Sequence, residues 1–261
     1  MKIILRIFKW ILLSLLGLIT VVFILLLLDR DYRNATLTET EKNAMVAQKA
    51  YRPETRDSLY EPLLKEYGQN KKLAEGFEFQ CLLALSHYPE LKETPIEFLV
   101  QPAFLPLSSR PDPVTVLSPW IRRKYLVVIS SRSTDYFEQI LLKNTPFNEQ
   151  VGIIGHELGH SVFYLDKSAL KLVGIAYNYE YDEDYATQFE RETDKRAVAH
   201  GLGYQLYDFA FFVRKAFGDS QEKIAAEKGD MYLSPNELAA EMTKYDCYRD
   251  TLNPPGHYFT N

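Results

Sequence analysis

The sequence predicts an α+β fold: a helix-rich domain with a small sheet, preceded by one apolar N-terminal helix. Three observations carry this. Trp10 to Leu28 is an unbroken run without charge, bounded by Lys9 and Asp29. Helix-start signals and helical spacing of apolar residues recur along the rest of the chain. Two segments, Ile96–Phe104 and Tyr125–Ser130, have the β-branched and aromatic character of strands. No internal repeat or low-complexity linker divides the remainder, so residues 1–28 form a terminal segment and anchor and residues 29–261 one domain.

The apolar run has the length of a bilayer core at helical rise. It leads straight into Asp29-Arg30-Asp31 without the small residues of a cleavage site, which favours an uncleaved transmembrane anchor over a signal peptide. Lys2, Arg6 and Lys9 cluster before the span, whereas Arg30, Arg33 and Lys42 are spread out after it. This leans to an inside N-terminus and an extracytoplasmic domain. The formal net charge is −5 and three bases precede the span, so the domain itself is acidic, which argues against nucleic acid as a partner. Cys81 and Cys247 lack a C-x-x-C partner, which excludes a cysteine zinc site and leaves either two thiols or one disulfide. Asn34-Ala35-Thr36 matches a glycosylation acceptor.

In chain order, Thr38-Glu39-Thr40-Glu41 forms a capping box that predicts a helix to about Tyr51, broken by Pro53. Further helices are expected over Asp57–Tyr67, closed by Gly68, and over Lys71–Tyr88, closed by Pro89. His87, at the end of the latter, reads as a cap or surface residue rather than a ligand. The proline-rich Pro106–Trp120 reads as a loop with one short strand at Val114–Leu117. A helix over Thr134–Lys143 is followed by one from about Asn148 to Leu165, with Asn148 or Thr145 as cap and Pro146 in its first turn. Gly174–Tyr185 reads as a polar, tyrosine-rich connection, solvated rather than calcium-binding. Helices then run from Tyr185 to His200, over Leu206–Phe217, and from the capping box Ser234-Pro235-Asn236-Glu237 to about Cys247.

The chemistry concentrates in Gly155-His156-Glu157-Leu158-Gly159-His160. On a helix, residues four apart share a face, so His156 and His160 can grip one metal ion from the same side. Glu157 then reaches a water on the metal's open side and can act as general base. Val151, Ile154, Leu158, Val162 and Leu165 give this helix a buried side. Two hydrogen-bonded core histidines would be the bland alternative. Zinc hydrolysis also needs a third protein ligand. Asp166 would suit a metzincin, but the glycine that turns the chain back is replaced by Phe163. Glu180, Glu190 and Glu192 remain as candidates.

His156-Glu157-Leu158-Gly159-His160, with Glu190 and Asp194 spaced E-x-x-x-D downstream, resembles the gluzincin branch of the zincin metallopeptidases. Within it, the arrangement resembles the membrane-associated group of CAAX prenyl proteases and HtpX-type heat-shock peptidases. The resemblance covers about residues 125–203. It implies a zincin-like fold, one Zn2+ on His156, His160 and Glu190, base Glu157, and Asp194 orienting a ligand histidine. It also implies that the Tyr125–Ser130 strand flanks the cleft and pairs with an extended peptide. An oxyanion-stabilising His or Tyr is expected too, with His200, Tyr204, Tyr207 and His257 as candidates.

Helical geometry is consistent with that ligand set. Glu190 and Glu192 are about 200° apart, so only one faces the metal. Glu190 alone has an acid one turn on, Asp194, positioned to accept the second N–H of a histidine such as His156. The expectation is a membrane-anchored zinc metalloendopeptidase acting on a peptide or protein substrate. The alternatives are a zinc hydrolase of a non-peptide amide and an inactive zinc-stabilised binding module.

Overall fold

A computed structural model describes residues 2–28, 37, 45–118, 120–220 and 231–249. The acceptor Asn34-Ala35-Thr36, the capping box at 38–41 and His257 lie outside the described residues. Helix α1 spans Lys2–Leu28. Within it Arg6–Leu25 is long and apolar enough to cross a membrane, with a mean hydropathy of 2.5.

The domain combines helices with one four-stranded mixed sheet. Its elements are α2 (Arg56–Tyr67), β1 (Lys71–Lys72), α3 (Glu78–Leu85), β2 (Ile96–Gln101), β3 (Leu107–Pro111), α4 (Pro113–Val116) and β4 (Tyr125–Ser130). They continue as α5 (Asp135–Glu138), α6 (Phe147–Tyr164), α7 (Ala169–Tyr181), α8 (Glu183–Ala197), α9 (Gly203–Ala216) and α10 (Pro235–Met242). The strand order is β1-β2-β4-β3, with β1, β2 and β4 parallel and β3 antiparallel on the far edge.

Helix α6 is central. It packs against α3, α8, α9 and β3. Val151, Ile154 and Leu158 recur at helical spacing and are fully buried, which removes that face from water. Its other neighbours approach closely because glycines line the contact. A Cβ at Gly152 would meet the backbone oxygen of Gln205 at 2.5 Å. At Gly155 it would run into the tip of the Leu202 side chain. The start of α6 differs from expectation. Pro146 is the N-cap, not a first-turn residue, and it offers no side-chain bond. Thr145 bonds back to Leu141 O instead. Gln150 secures the entry, with Nε2 donating to Leu142 O at 2.8 Å and to Thr145 O at 2.9 Å.

Asn148 serves the N-terminal strap. Its Oδ1 accepts the Tyr51 amide at 2.8 Å, and Gln205 Nε2 donates to Gln48 O at 2.8 Å. These ties hold residues 45–48 out of the expected helix. The expected helix from Lys71 is split: Lys71 and Lys72 pair with Ile96 and Glu97, and α3 starts only at Glu78, after Gly76 at φ +82°. The stretch read as a loop contains β3, and Val114–Leu117 is helical rather than extended, capped by Asp112 Oδ1 on the Val114 amide. The Thr134–Lys143 helix shortens to α5 and a separate turn of 3-10 helix. Gly174–Tyr185 is not a connection: its first part belongs to α7, and Asp182 caps α8 by accepting the Tyr185 amide. After α8 the chain widens into a π turn over Val198–Leu202, where Gly201 has φ +86° and lies against the strap. The Ser234–Glu237 capping box is present, but its helix ends at Met242. Cys81 and Cys247 are free thiols.

Candidate metal centre

Helices α6 and α8 together build the site. His156 and His160 lie one turn apart on α6, and Glu190 projects from α8 toward both. Among the described residues, this His156–His160–Glu190 group is close enough to hold one metal ion, with ligand atoms within 4.8 Å of one another. Glu190 Oε2 is 3.0 Å from His156 Nε2 and 3.3 Å from His160 Nε2. Ligands around tetrahedral zinc are separated by about 3.4 Å, given bond lengths near 2.1 Å.

The outer hydrogen bonds set the tautomers. His156 Nδ1 donates to Asp194 Oδ1 at 2.8 Å, while Asp194 Oδ2 accepts the Leu233 amide at 2.8 Å. His160 Nδ1 lies 3.2 Å from Thr193 Oγ1, whose own proton goes to Phe189 O. Both rings therefore turn Nε2 inward, toward the Glu190 carboxylate. At that position a ring either donates a proton to the carboxylate or, deprotonated, shares a cation with it, and two imidazoles with one carboxylate are a donor set that fits a divalent ion.

Charge argues the same way. Burial opposes a proton on His156, but Asp194 and Glu190 outweigh it and draw positive charge to the ring. Burial likewise opposes ionisation of Glu190, yet His160 and His156 hold it below the usual carboxylate range. Glu157 is buried beside them, and desolvation raises its pKa despite the two histidines. A raised carboxylate pKa suits a group that must take and release a proton.

Two tyrosines, neither of them expected from sequence, complete the surroundings. Tyr179 on α7 donates to Glu190 Oε1 at 2.5 Å. Tyr232 stands with its ring 5.8 Å from that of His156, and the Glu190 carboxylate pushes its phenol well above the usual range. The spacing Leu172, Ile175, Tyr179 was the available signal for α7, obscured by Gly174 and the acids that follow. Among the described residues, the expected oxyanion candidates lie elsewhere. His200 bonds Glu90 and Arg196 O and stacks on Tyr88. Tyr204 packs on Tyr248, and neither it nor Tyr207 lines either cavity at the site. Asp166 is exposed beside Lys167, and Glu192 pairs with Lys195. His87 is a buried core residue rather than a surface one, bonded to Tyr51 and His200 O.

A cleft of about 470 Å3 runs between β3 and α7, with Glu157, His160 and Glu190 at its base. A second cavity of about 160 Å3, lined by Ile140, Ile153, Leu206 and Val213, reaches His156 and Asp194. Leu107 lines both. The strand beside the cleft is β3, not β4. Strand β4 is flanked on both sides and has no free rail for a peptide. On β3, Ser108 and Arg110 are the residues that exchange bonds with β4, as the flanking bonds of Pro106 O and the Asp112 amide require. The backbone groups of Leu107 and Ser109 therefore point to the open edge. Ser109 Oγ is 2.9 Å from Ser161 Oγ, which ties this edge to the metal helix one residue past His160.

No family model matches the chain, and comparison with curated proteins and with solved structures finds no match either. The site itself therefore carries the identification, which is a buried His156–His160–Glu190 group able to hold a metal ion.

Proposed function

We propose that the chain is a membrane-anchored zinc metalloendopeptidase of gluzincin type, with α1 as its anchor and the domain outside the cytoplasm. The observation that carries this reading is the convergence of two imidazole Nε2 atoms and the Glu190 carboxylate beside the buried Glu157, at the base of a cleft edged by an open strand. His156, His160 and Glu190 would hold the zinc, which when bound supplies Lewis acidity and brings a coordinated water's pKa to about 7. Asp194 and Thr193 orient the two rings. Glu157 takes the proton from the attacking water and delivers it to the leaving amine, so one carboxyl serves both halves of the reaction. Tyr232, beside His156, supplies a hydroxyl to the oxygen that gains charge, while Tyr179 gives its one proton to Glu190.

The substrate backbone pairs with β3 through Leu107 and Ser109, as an added strand. The apolar cavity beside His156 accepts an apolar side chain next to the scissile bond. The test is hydrolysis of casein by purified protein, with and without a chelator, alongside Glu157→Gln. Chelator-sensitive cleavage lost in Glu157→Gln supports the reading. Metal-loaded protein that cleaves neither casein nor a peptide library refutes it.

A further inference from the structure

Helix α7 has two apolar faces, and only one is inside the protein. Leu172 and Ile175 are buried, and Tyr179 turns inward to Glu190. On the opposite side Leu170, Val173, Tyr177 and Tyr181 recur every three or four residues and are exposed. A second exposed group, Val114, Leu117, Trp120 and Ile121, follows β3, and Trp120 is 91% exposed. The two groups are neighbours. Val116 packs against the cluster that contains Leu172 and Ile175. Arg123 Nη1 donates to Lys167 O at 2.6 Å, immediately before α7. Exposed apolar groups on adjoining elements mark a binding face.

Helix α1 indicates the occupant. Phe23 packs edge-on against Tyr177 with ring centroids 5.3 Å apart. Phe23 lies two residues from the end of the apolar stretch Arg6–Leu25. Where that stretch leaves a bilayer, α7 is already beside it. Tyrosine and tryptophan favour that depth, because their rings are apolar and their polar atoms reach water. We infer that the outer face of α7 and the Val114–Ile121 turn seat in the interfacial layer of the bilayer crossed by α1. The domain is then docked on the membrane rather than tethered above it. This rests on the insertion of α1, and the test separates the two.

The chain has two tryptophans, Trp10 in α1 and Trp120 in the turn. Full-length protein in phosphatidylcholine nanodiscs is compared with nanodiscs containing phosphatidylcholine brominated near the carbonyl end or deep in the acyl chain. Trp120→Phe leaves Trp10 as the reporter of the span. Trp10→Phe leaves Trp120 as the reporter of the turn. Tyr181→Trp in a Trp10→Phe/Trp120→Phe background places the only indole on α7. The expected result is that the turn reporter and the α7 reporter each lose roughly half of their emission to the shallow bromines and are shielded from aqueous acrylamide. Trp10, at the opposite end of the span, should be quenched by the shallow bromines of the far leaflet. If Trp10 is quenched while both other reporters ignore bromine and respond fully to acrylamide, the span inserts and docking is wrong. Unquenched Trp10 removes the premise and overturns the inference with it.

Discussion

Asp194 holds Nδ1 of His156 at 2.8 Å with one oxygen and the Leu233 amide at 2.8 Å with the other, so a single carboxylate joins the metal helix to the segment entering α10. Loss of its charge weakens the metal ligand without removing it. Asp194→Asn should bind metal roughly 10- to 100-fold more weakly. Glu190→Ala should lose the metal, and Glu192→Ala, whose carboxylate serves Lys195, should keep it. Metal content and chelator competition on the purified proteins check all three. Full metal occupancy in Glu190→Ala would remove Glu190 from the ligand set.

Glu157 is buried beside the histidines and carries no ligand role in the proposal. Glu157→Gln keeps its shape, so metal content should match wild type while peptide turnover drops by about two to four orders of magnitude. Near-normal turnover would mean that another group moves the proton.

The open edge of β3 gives a backbone test. Proline at Ser109 removes an N–H that β4 does not use, and edge strands tolerate it. Ser109→Pro should keep metal and fold but lose kcat/KM by roughly 10-fold or more, the cost of about 1.4 kcal/mol of lost pairing. Ser109→Ala controls for the hydroxyl that meets Ser161 and should retain most activity. Equal losses in the two would assign the effect to the side chain.

The glycine contacts of α6 separate by what they meet. At Gly152 an added Cβ lies 2.5 Å from backbone, whereas at Gly155 it meets the movable tip of Leu202. Gly152→Ala should destabilise by about 1–3 kcal/mol despite the better helix propensity of alanine. Gly155→Ala should cost less. Thermal midpoints measured on metal-free protein give the order, and the reverse order would place the tight seam elsewhere.

His87 sets a pH dependence. Its Nδ1 donates to His200 O and its Nε2 accepts from Tyr51, so the neutral ring is fully bonded and burial pushes its pKa down to about 4. The unfolded chain takes up this proton near pH 6.5, before the folded one does. The folded state is therefore unpenalised above pH 6.5, and stability falls by on the order of 2–3 kcal/mol as pH drops toward 4. Urea unfolding of metal-free wild type and His87→Gln at pH 7.5 and pH 5 tests this. The variant should show the smaller change between the two pH values, and a parallel decline would shift the cause to other groups.

The elements read well from sequence are those whose own residues decide them. Helix α6 has a continuous apolar face, β4 is a solid apolar run, and α2 ends at Gly68 as expected. The elements misread are those decided by distant partners. The pair Lys71-Lys72 is extended because β2 lies beside it, which no local property of lysine requires. Strand β3, Leu-Ser-Ser-Arg-Pro, has little strand character, and its place comes from β4 on one side and Ser161 on the other. The histidines and Glu190 were legible because helical spacing brings chemistry to one face. Tyr179 and Tyr232 reach the site from segments whose positions depend on the packing of α7 and on the tie to Asp194.

Tyr177 and Tyr179 are two residues apart on α7, one against Phe23 of α1 and the other on Glu190. A rigid helix that short acts as a rocker: a tilt felt at one face is delivered to the other within the same turn. Changes in bilayer thickness or lateral pressure alter the tilt of a spanning helix at small energetic cost. Through this rocker they would shift a phenol against the carboxylate that completes the metal group. Under the proposed anchoring and metal binding, lipid composition would then bear on the coordination of the ion, with α7 as the linkage.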